Sequence, residues 1–182
     1  TATVSGFQFD QPLRGGQEVL DFRPEQPITM RTAPATTSRG RVSAESLGHN
    51  NPVREVMNGY VTIGNHYELT STNNTVFPLE IQIYYTAADL AASNVTNERQ
   101  LTGLHFFNTS ARAWQPLENT GVNTTDLVVE GTQYAGYFYA TTSHLTTVVG
   151  VADLTDPEKP SLLTGEAGDS RVKLTWQQQT EA

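Results

Sequence analysis

The chain has 182 residues, a length that fits one sizeable domain, or one domain with a fragment of the next, and excludes a multidomain enzyme. Its 11 basic and 19 acidic residues give a net charge of −8, which disfavours nucleic acid as a partner because phosphate binding needs a basic surface. It has no cysteine, which excludes disulfides, thiolate zinc sites and a cysteine nucleophile.

Short runs of β-branched and aromatic residues, separated by turn residues, recur along the chain and predict an all-β fold. No stretch repeats apolar residues at helical spacing for the roughly 11 residues that a helix needs. The predicted strands are Val4–Phe9, Gln17–Phe22, Ile28–Ala33, Leu79–Tyr85, Leu101–Asn108, Ala113–Leu117, Asp126–Glu130, Tyr137–Thr142 and Thr146–Ala152. Strands at this spacing predict an antiparallel β-sandwich of immunoglobulin-like or Greek-key type.

In the N-terminal half, one region predicts a long loop and another predicts a hairpin. Residues 34–51 are rich in Ser, Thr, Gly and Asn, and they predict a long loop with at most one edge strand, anchored by Val42 and Leu47. Tyr60–Ile63 and His66–Thr70 flank the pair Gly64-Asn65, whose residue types tolerate positive φ. This pattern predicts a hairpin with its turn at that pair.

The clearest strand, Leu79–Tyr85, is followed by the one helix-forming patch. Apolar residues alternate in the strand with Glu80 and Gln82, so one side is expected to face the core and the other the solvent. Thr86 can then cap a short helical turn near Ala87 to Leu90, with Asp89 complementing the exposed amides. Farther along, a turn is predicted at Asn119–Gly121.

The composition changes at residues 153–160, where two prolines and several charges predict a linker after a sandwich spanning residues 1–152. Two alternatives stay open for residues 1–58, which either belong to the same sandwich or form a separate N-terminal sub-region. Residues 161–182 predict a strand, a turn and a second strand. Because Val172, Leu174 and Trp176 stand in a Val-x-Leu-x-Trp pattern, this tail resembles the start of a fibronectin type III domain.

A second resemblance covers residues 59–152. Tyr67-Glu68-Leu69-Thr70, the run Ile83 to Leu90, Trp114 and Thr142-Ser143-His144 are similar to a β-sandwich module of large secreted and cell-surface proteins of Gram-negative bacteria. The resemblance implies a strand running into a short helical turn. It also implies an exported chain at the cell surface, beside fibronectin-like domains.

The tripeptide His144-Leu145-Thr146 is similar to the self-cleavage motif of the GAIN domain of adhesion receptors. That resemblance implies attack of the Thr146 hydroxyl on the Leu145 carbonyl, with His144 as general base, at a strained turn. The alternative is a histidine at the start of a strand that bonds to backbone. No other catalytic motif is present, and a non-enzyme is expected.

Aromatic residues concentrate in the C-terminal half and are candidates for stacking on sugar rings. A carbohydrate-binding surface built from them requires Trp114 and at least two tyrosines to face solvent in one plane. The alternative is that most of the rings fill and rim the core. The candidate ligand-binding residues are Trp114, Tyr84, Tyr134, Tyr137 and Tyr139.

Metal and glycan sites have weaker signals. Asp153, Asp156 and Glu158 lie together near the linker and are candidates for a structural calcium ion, with a solvated linker as the alternative. The four histidines have no zinc-ligand spacing, so no cofactor is expected. Asparagine sequons begin at Asn73, Asn94, Asn108 and Asn123. They imply surface glycans in a eukaryotic secreted protein, but in an Asn- and Thr-rich bacterial chain they arise from composition, which is the preferred interpretation.

Three functions are therefore open. The preferred hypothesis is a non-catalytic structural or adhesive module of an exported, multidomain bacterial protein. Its expected partners are other domains of the same chain, glycans or cell-surface proteins, and no membrane span is expected because no apolar run approaches about 18 residues. The alternatives are a carbohydrate-binding module and a self-cleaving sandwich cut between Leu145 and Thr146.

Overall fold

The computed structural model of the chain describes residues 7–48, 52–53, 57–155, 161–168 and 171–177, with side chains between residues 9 and 155. These ranges contain fifteen strands and one α-helix, α1 (Ala87–Ala92). The strands are β1 (Phe7–Pro12), β2 (Val19–Asp21), β3 (Ile28–Arg31), β4 (Arg41–Ser46), β5 (Tyr60–Ser71), β6 (Leu79–Tyr85), β7 (Leu101–Asn108), β8 (Ala113–Pro116), β9 (Glu118–Asn123), β10 (Leu127–Val129), β11 (Thr132–Tyr134), β12 (Gly136–Thr142), β13 (Thr147–Asp153), β14 (Ser161–Gly168) and β15 (Arg171–Gln177).

Two antiparallel sheets enclose the core. The six-stranded sheet has the order β1-β4-β5-β13-β7-β8, and the five-stranded sheet has the order β2-β3-β6-β12-β9. The strand pairs β10-β11 and β14-β15 each form a separate two-stranded sheet. Apolar side chains from both large sheets form one buried cluster, so the predicted all-β antiparallel sandwich is confirmed.

Two of the connections between the large sheets lie side by side. The chain crosses between the sheets several times, and two of these crossings are β5 to β6 and β12 to β13. Because β5 pairs with β13 and β6 pairs with β12, the two crossings lie side by side. Two pairs of consecutive strands that are distant from each other in sequence, β5-β6 and β12-β13, therefore form the centre of the fold.

The core follows the alternation of the strands. In β6, Leu79, Ile81, Ile83 and Tyr85 are buried while Glu80 is exposed, which confirms the predicted strand and its inner face. From β12, the fully buried Phe138 ring packs on Tyr85 at a centroid distance of 5.0 Å.

The predicted helical turn is also confirmed, and it extends to Ala92. The Thr86 hydroxyl accepts a hydrogen bond from the Asp89 amide, and the Asp89 carboxylate accepts one from the Thr86 amide. This capping box satisfies two backbone donors that the first turn would otherwise leave unpaired.

The predicted hairpin at Gly64-Asn65 is wrong, because residues 60–71 form one continuous strand, β5. Opposite it in β13, Val148 pairs with Tyr67 and Gly150 pairs with Ile63, so three residues of β5 lie against Val149 alone. Gly64, at φ +67°, therefore makes a bulge rather than a turn. β5 pairs with β13 along one edge and with β4 along the other.

Two further predictions are corrected by pairing between distant strands. The edge strand expected within residues 34–51 is an internal strand, since β4 lies between β1 and β5 with Val42 and Ala44 fully buried. The turn expected at Asn119–Gly121 lies inside β9, which pairs with β12. There the Thr120 hydroxyl accepts a hydrogen bond from the Leu104 amide at 2.6 Å, which links β9 to β7.

The N-terminal region and the tail are described in part. β1 to β4, all within residues 1–58, are hydrogen bonded into the two large sheets. The strand pair predicted in the tail is present as β14 and β15. The start of the first predicted strand and residues 156–160 of the linker lie outside the described residues, and the domain boundaries stay a prediction.

Candidate functional site

The outer face of the five-stranded sheet carries rows of polar and aromatic side chains. Arg31, Glu80 and Thr141 are paired neighbours in one row across β3, β6 and β12. Gln82 and Tyr139 are paired in the next row. Six side chains that are exposed or half-buried form this surface, which we call the open face: Arg31, Glu80, Gln82, Tyr137, Tyr139 and Thr141.

Tyr139 is the most exposed ring of the open face, with 42% of its surface accessible. Its ring lies over β9 instead of projecting from the sheet, because a Cβ added at Gly121 would stand 2.4 Å from the Tyr139 hydroxyl oxygen and 2.5 Å from Cζ. The ring therefore packs against bare backbone at Gly121, and a side chain at that position would displace it. A glycine on the neighbouring strand therefore supports an exposed aromatic platform.

Gln82 occupies the middle of the same face and is held by two hydroxyl donors. The Tyr84 hydroxyl donates to Oε1 of Gln82 at 2.6 Å, and the Thr29 hydroxyl donates to the same atom at 3.3 Å. Because both bonds go to the oxygen, the amide orientation is fixed and the two N–H donors of Nε2 are directed away from them. The sequence marked Gln82 only as a residue that faces outward.

The tyrosines proposed for ligand binding do not form one exposed plane. Tyr84 and Tyr134 are buried at 6% and 2% exposure, with ring centroids 5.4 Å apart. The Arg23 guanidinium covers the Tyr84 ring at 4.5 Å, and Asp21 holds it in place through an ion pair of 2.6 Å. This bond to Arg23 also lowers the pKa of Asp21. Tyr84 and Tyr134 therefore lack the solvent exposure that a carbohydrate-binding surface requires, and they agree with the alternative in which most of the rings fill and rim the core.

Trp114 lies elsewhere and is also buried, at 7% exposure. It packs with Val53, Val149 and Val151 in a second apolar cluster. Val149 and Val151 alternate with the core-facing Val148 and Ala152, so this cluster lies on the outer face of the six-stranded sheet. The Trp114 indole N–H donates to the Pro52 carbonyl at 3.3 Å, so residues 52–53 cover this cluster. Trp114 therefore lacks the solvent exposure that a carbohydrate-binding surface requires.

His105 lies beside this second cluster, directly opposite Val149 in the strand pair β7-β13. It is 6% exposed, and its Nδ1 has no hydrogen-bond partner among the described residues. Burial lowers the pKa of His105, so the imidazole is neutral in the folded protein at pH 7.

We expect acid to destabilise the protein through His105. In the unfolded chain His105 binds a proton below its ordinary pKa of about 6.5, whereas in the folded chain it stays neutral until the pH reaches its lowered pKa. The contribution of neutral His105 to stability is therefore fully present above pH 6.5 and is lost as the pH falls toward the lowered pKa. Between pH 7 and pH 5, the melting temperature of the parent chain should fall further than that of His105→Leu. Equal falls in the two proteins would contradict the assignment.

The residues of the predicted self-cleavage motif are close in sequence but are not hydrogen bonded as that chemistry requires. The exposed His144 ring packs against Phe106 at a centroid distance of 4.9 Å, and the Thr146 hydroxyl donates to the Thr147 carbonyl at 3.4 Å. The Thr142 hydroxyl donates to the His144 carbonyl at 2.7 Å. Leu145 and Thr146 do not have positive φ. The structure therefore shows neither an aligned base nor backbone strain at this peptide bond.

Comparison with protein-family models and with curated proteins finds no match to this chain.

The metal candidates are described only in part. The Asp153 carboxylate accepts hydrogen bonds from the Thr155 amide and hydroxyl at 2.8 and 2.6 Å, while Asp156 and Glu158 lie outside the described residues. Within the described ranges, no three His, Asp or Glu residues lie close enough together to hold a metal ion. In the same ranges, no helix has the length and apolarity needed to cross a membrane.

Proposed function

We propose that the chain is a non-catalytic adhesive module of an exported, multidomain protein, and that it binds through the open face. The observation that carries the proposal is the contrast between the two outer faces of the sandwich. On the outer face of the six-stranded sheet, Pro52 and Val53 cover the apolar side chains of β8 and β13, whereas the open face presents the Tyr139 ring beside Gln82 and Glu80. Exposed aromatic and polar side chains on a rigid sheet favour recognition.

The strand directions favour adhesion over a load-bearing stalk. Three successive antiparallel pairs connect β1 to β13 through β4 and β5, so β1 and β13 are themselves antiparallel. The N-terminal end of β1 and the C-terminal end of β13 therefore point toward the same end of the sheet. Tension applied at these ends would break strand hydrogen bonds one after another rather than together, which suits a displayed module better than a stalk.

Two features support an exported, non-catalytic role. Only 16% of the residues are charged, compared with about 25% in a typical soluble domain. The chain also resembles modules of secreted and surface proteins, as described above. At the candidate catalytic pair, the Thr146 hydroxyl donates to the Thr147 carbonyl and the Thr142 hydroxyl donates to the His144 carbonyl, so these bonds involve backbone carbonyls and not the His144 ring.

An attachment assay tests the adhesive role. Beads coated with the chain are allowed to settle on surfaces that carry immobilised polysaccharides or matrix proteins, with albumin-coated beads as the blank. We expect attachment to at least one surface, its loss with the double variant Gln82→Ala/Tyr139→Ala, and its retention with Val128→Ser, which changes an exposed residue of β10. Attachment no greater than that of albumin on every surface, or equal attachment of all variants, would overturn the proposal.

A further inference from the structure

The open face carries two neighbouring depressions, which together we call the trough. The depressions, of about 50 and 340 Å³, lie on the two sides of β6 and share Glu80 and Gln82 as lining residues. One reaches Val19 on β2, and the other reaches Asn119 on β9. With neighbouring strands about 4.8 Å apart, the trough is about 19 Å long from β2 to β9. A long, flat ligand fits it better than a compact one.

The trough offers an aromatic surface at one end. The Tyr139 ring lies over Gly121 and is 42% exposed. The Tyr137 ring lies next to it at a centroid distance of 6.4 Å and an interplanar angle of 60°, so Tyr137 borders the Tyr139 platform and does not extend its plane. The Asn123 amide donates to the Tyr137 hydroxyl at 3.2 Å and so fixes that second ring. Aromatic faces of this kind attract the polarised C–H bonds on the flat side of a sugar ring.

Polar groups fixed in place line the middle of the trough. The Nε2 donors of Gln82 are oriented by the two hydroxyl bonds to Oε1. Next to Gln82, the Glu80 carboxylate lies 3.6 Å from the Arg31 guanidinium, and both side chains are half-exposed. Sugar hydroxyls both donate and accept hydrogen bonds, and the trough supplies partners of both kinds along its length.

Charge limits the class of ligand. Arg31 and Glu80 neutralise each other within the trough, and the whole chain carries a net charge of −8. A polyanion would be repelled by this charge, and no cluster of basic side chains lines the trough to hold one. An uncharged ligand is favoured.

We infer that the trough binds a neutral, β-1,4-linked polysaccharide laid across the strands, with Tyr139 as the stacking platform and Gln82 as the oriented hydrogen-bond donor. Such chains are flat ribbons whose sugar rings expose C–H faces, which match an aromatic platform followed by polar groups. This inference rests on the proposed adhesive function and names the ligand class at the same face. It concerns a different surface from the one that the sequence suggested, because Trp114, Tyr84 and Tyr134 are buried and take no part in it.

The test is titration calorimetry of the full chain with cellohexaose, xylohexaose, chitohexaose and mannohexaose, and with heparin as the polyanion. We expect at least one of the neutral hexasaccharides to bind. Tyr139→Ala is expected to weaken that binding about tenfold or more because the stacking surface is lost. Tyr139→Phe keeps the ring and is expected to stay within about twofold of the parent. Gln82→Ala removes the oriented donor and is also expected to weaken binding.

Several results would overturn the inference. A neutral glycan would be excluded if the folded chain bound none of the hexasaccharides or preferred heparin. If beads coated with the chain still attached to protein-coated surfaces, the adhesive function would stand, with a protein as its partner. Equal affinity of parent, Tyr139→Ala and Gln82→Ala would place the site elsewhere. A dimer in sedimentation equilibrium that Tyr139→Ala dissociates would assign the trough to a second copy of the chain.

Discussion

Replacement of Phe138 by alanine is expected to lower the free energy of unfolding by about 3–5 kcal/mol. The ring is fully buried, contacts Tyr85 on β6, and reaches across the core to β13. At Gly150 of β13, an added Cβ would stand 2.4 Å from the Phe138 ring, so the ring fills the space that the glycine leaves. Truncation therefore removes contacts with both sheets and leaves a cavity between them.

The next residue along β12 provides the matched control. Tyr139 points to the opposite side of the strand, so Tyr139→Ala removes a ring of similar size from the surface instead of from the core. Its expected cost is about 1 kcal/mol or less, since surface substitutions usually have small effects. Urea unfolding followed by circular dichroism measures both values. Similar losses in the two variants would contradict the assignment of the two residues to opposite faces.

The parts of the fold that could be predicted from the sequence depend on local interactions. The inner face of β6 follows from a period of two, because successive side chains of a strand point to opposite sides. The bounds of β7 agree with the predicted Leu101–Asn108. The helical turn after β6 follows from Thr86 and Asp89, which are three residues apart and satisfy each other's amides.

The parts that could not be predicted depend on partners distant in sequence. Gly64-Asn65 has the same conformational freedom in a tight turn as in a bulge, and only the pairing of β5 with β13 decides between them. β4 has small and polar residues that are typical of a loop, yet it is internal because β1 and β5 lie on its two sides. Neither partner can be identified from the residues of the segment itself.

The candidate site could also be predicted only in part, because its geometry depends on residues distant in sequence. Residue type alone grouped Trp114 with the tyrosines, but Trp114 belongs to the outer face of the other sheet and is covered by residues 52–53. The orientation of Gln82 depends on Thr29, which is 53 residues away in the sequence. The alternation in β6 placed Gln82 on the solvent side and is the one sequence signal that pointed to it.

Asn73 is expected to be the polar residue with a large effect on stability. Its buried amide donates to the carbonyls of Thr37 and Arg39, and its Oδ1 accepts from the amide and hydroxyl of Thr75. It therefore caps the short 3-10 turn Asn74–Val76 and holds the segment before β4 against the segment before β6. Asn73→Ala is expected to cost about 2–4 kcal/mol, because it removes a cap and leaves buried acceptors unpaired.

The adjacent exposed residue serves as the control, and Asn74→Ala is expected to change the free energy of unfolding by about 0.5 kcal/mol or less. Asn73→Asp keeps the oxygen acceptor but loses the N–H donors, and a carboxylate oxygen then faces the Thr37 and Arg39 carbonyls. We therefore expect this variant to be destabilised as well. Urea unfolding of all three variants measures these differences, and a stable Asn73→Asp protein would show that the donors to residues 37 and 39 contribute little. The same contacts explain why the sequon at Asn73 is a structural feature: a glycan on Nδ2 would displace the bonds that hold the two segments together.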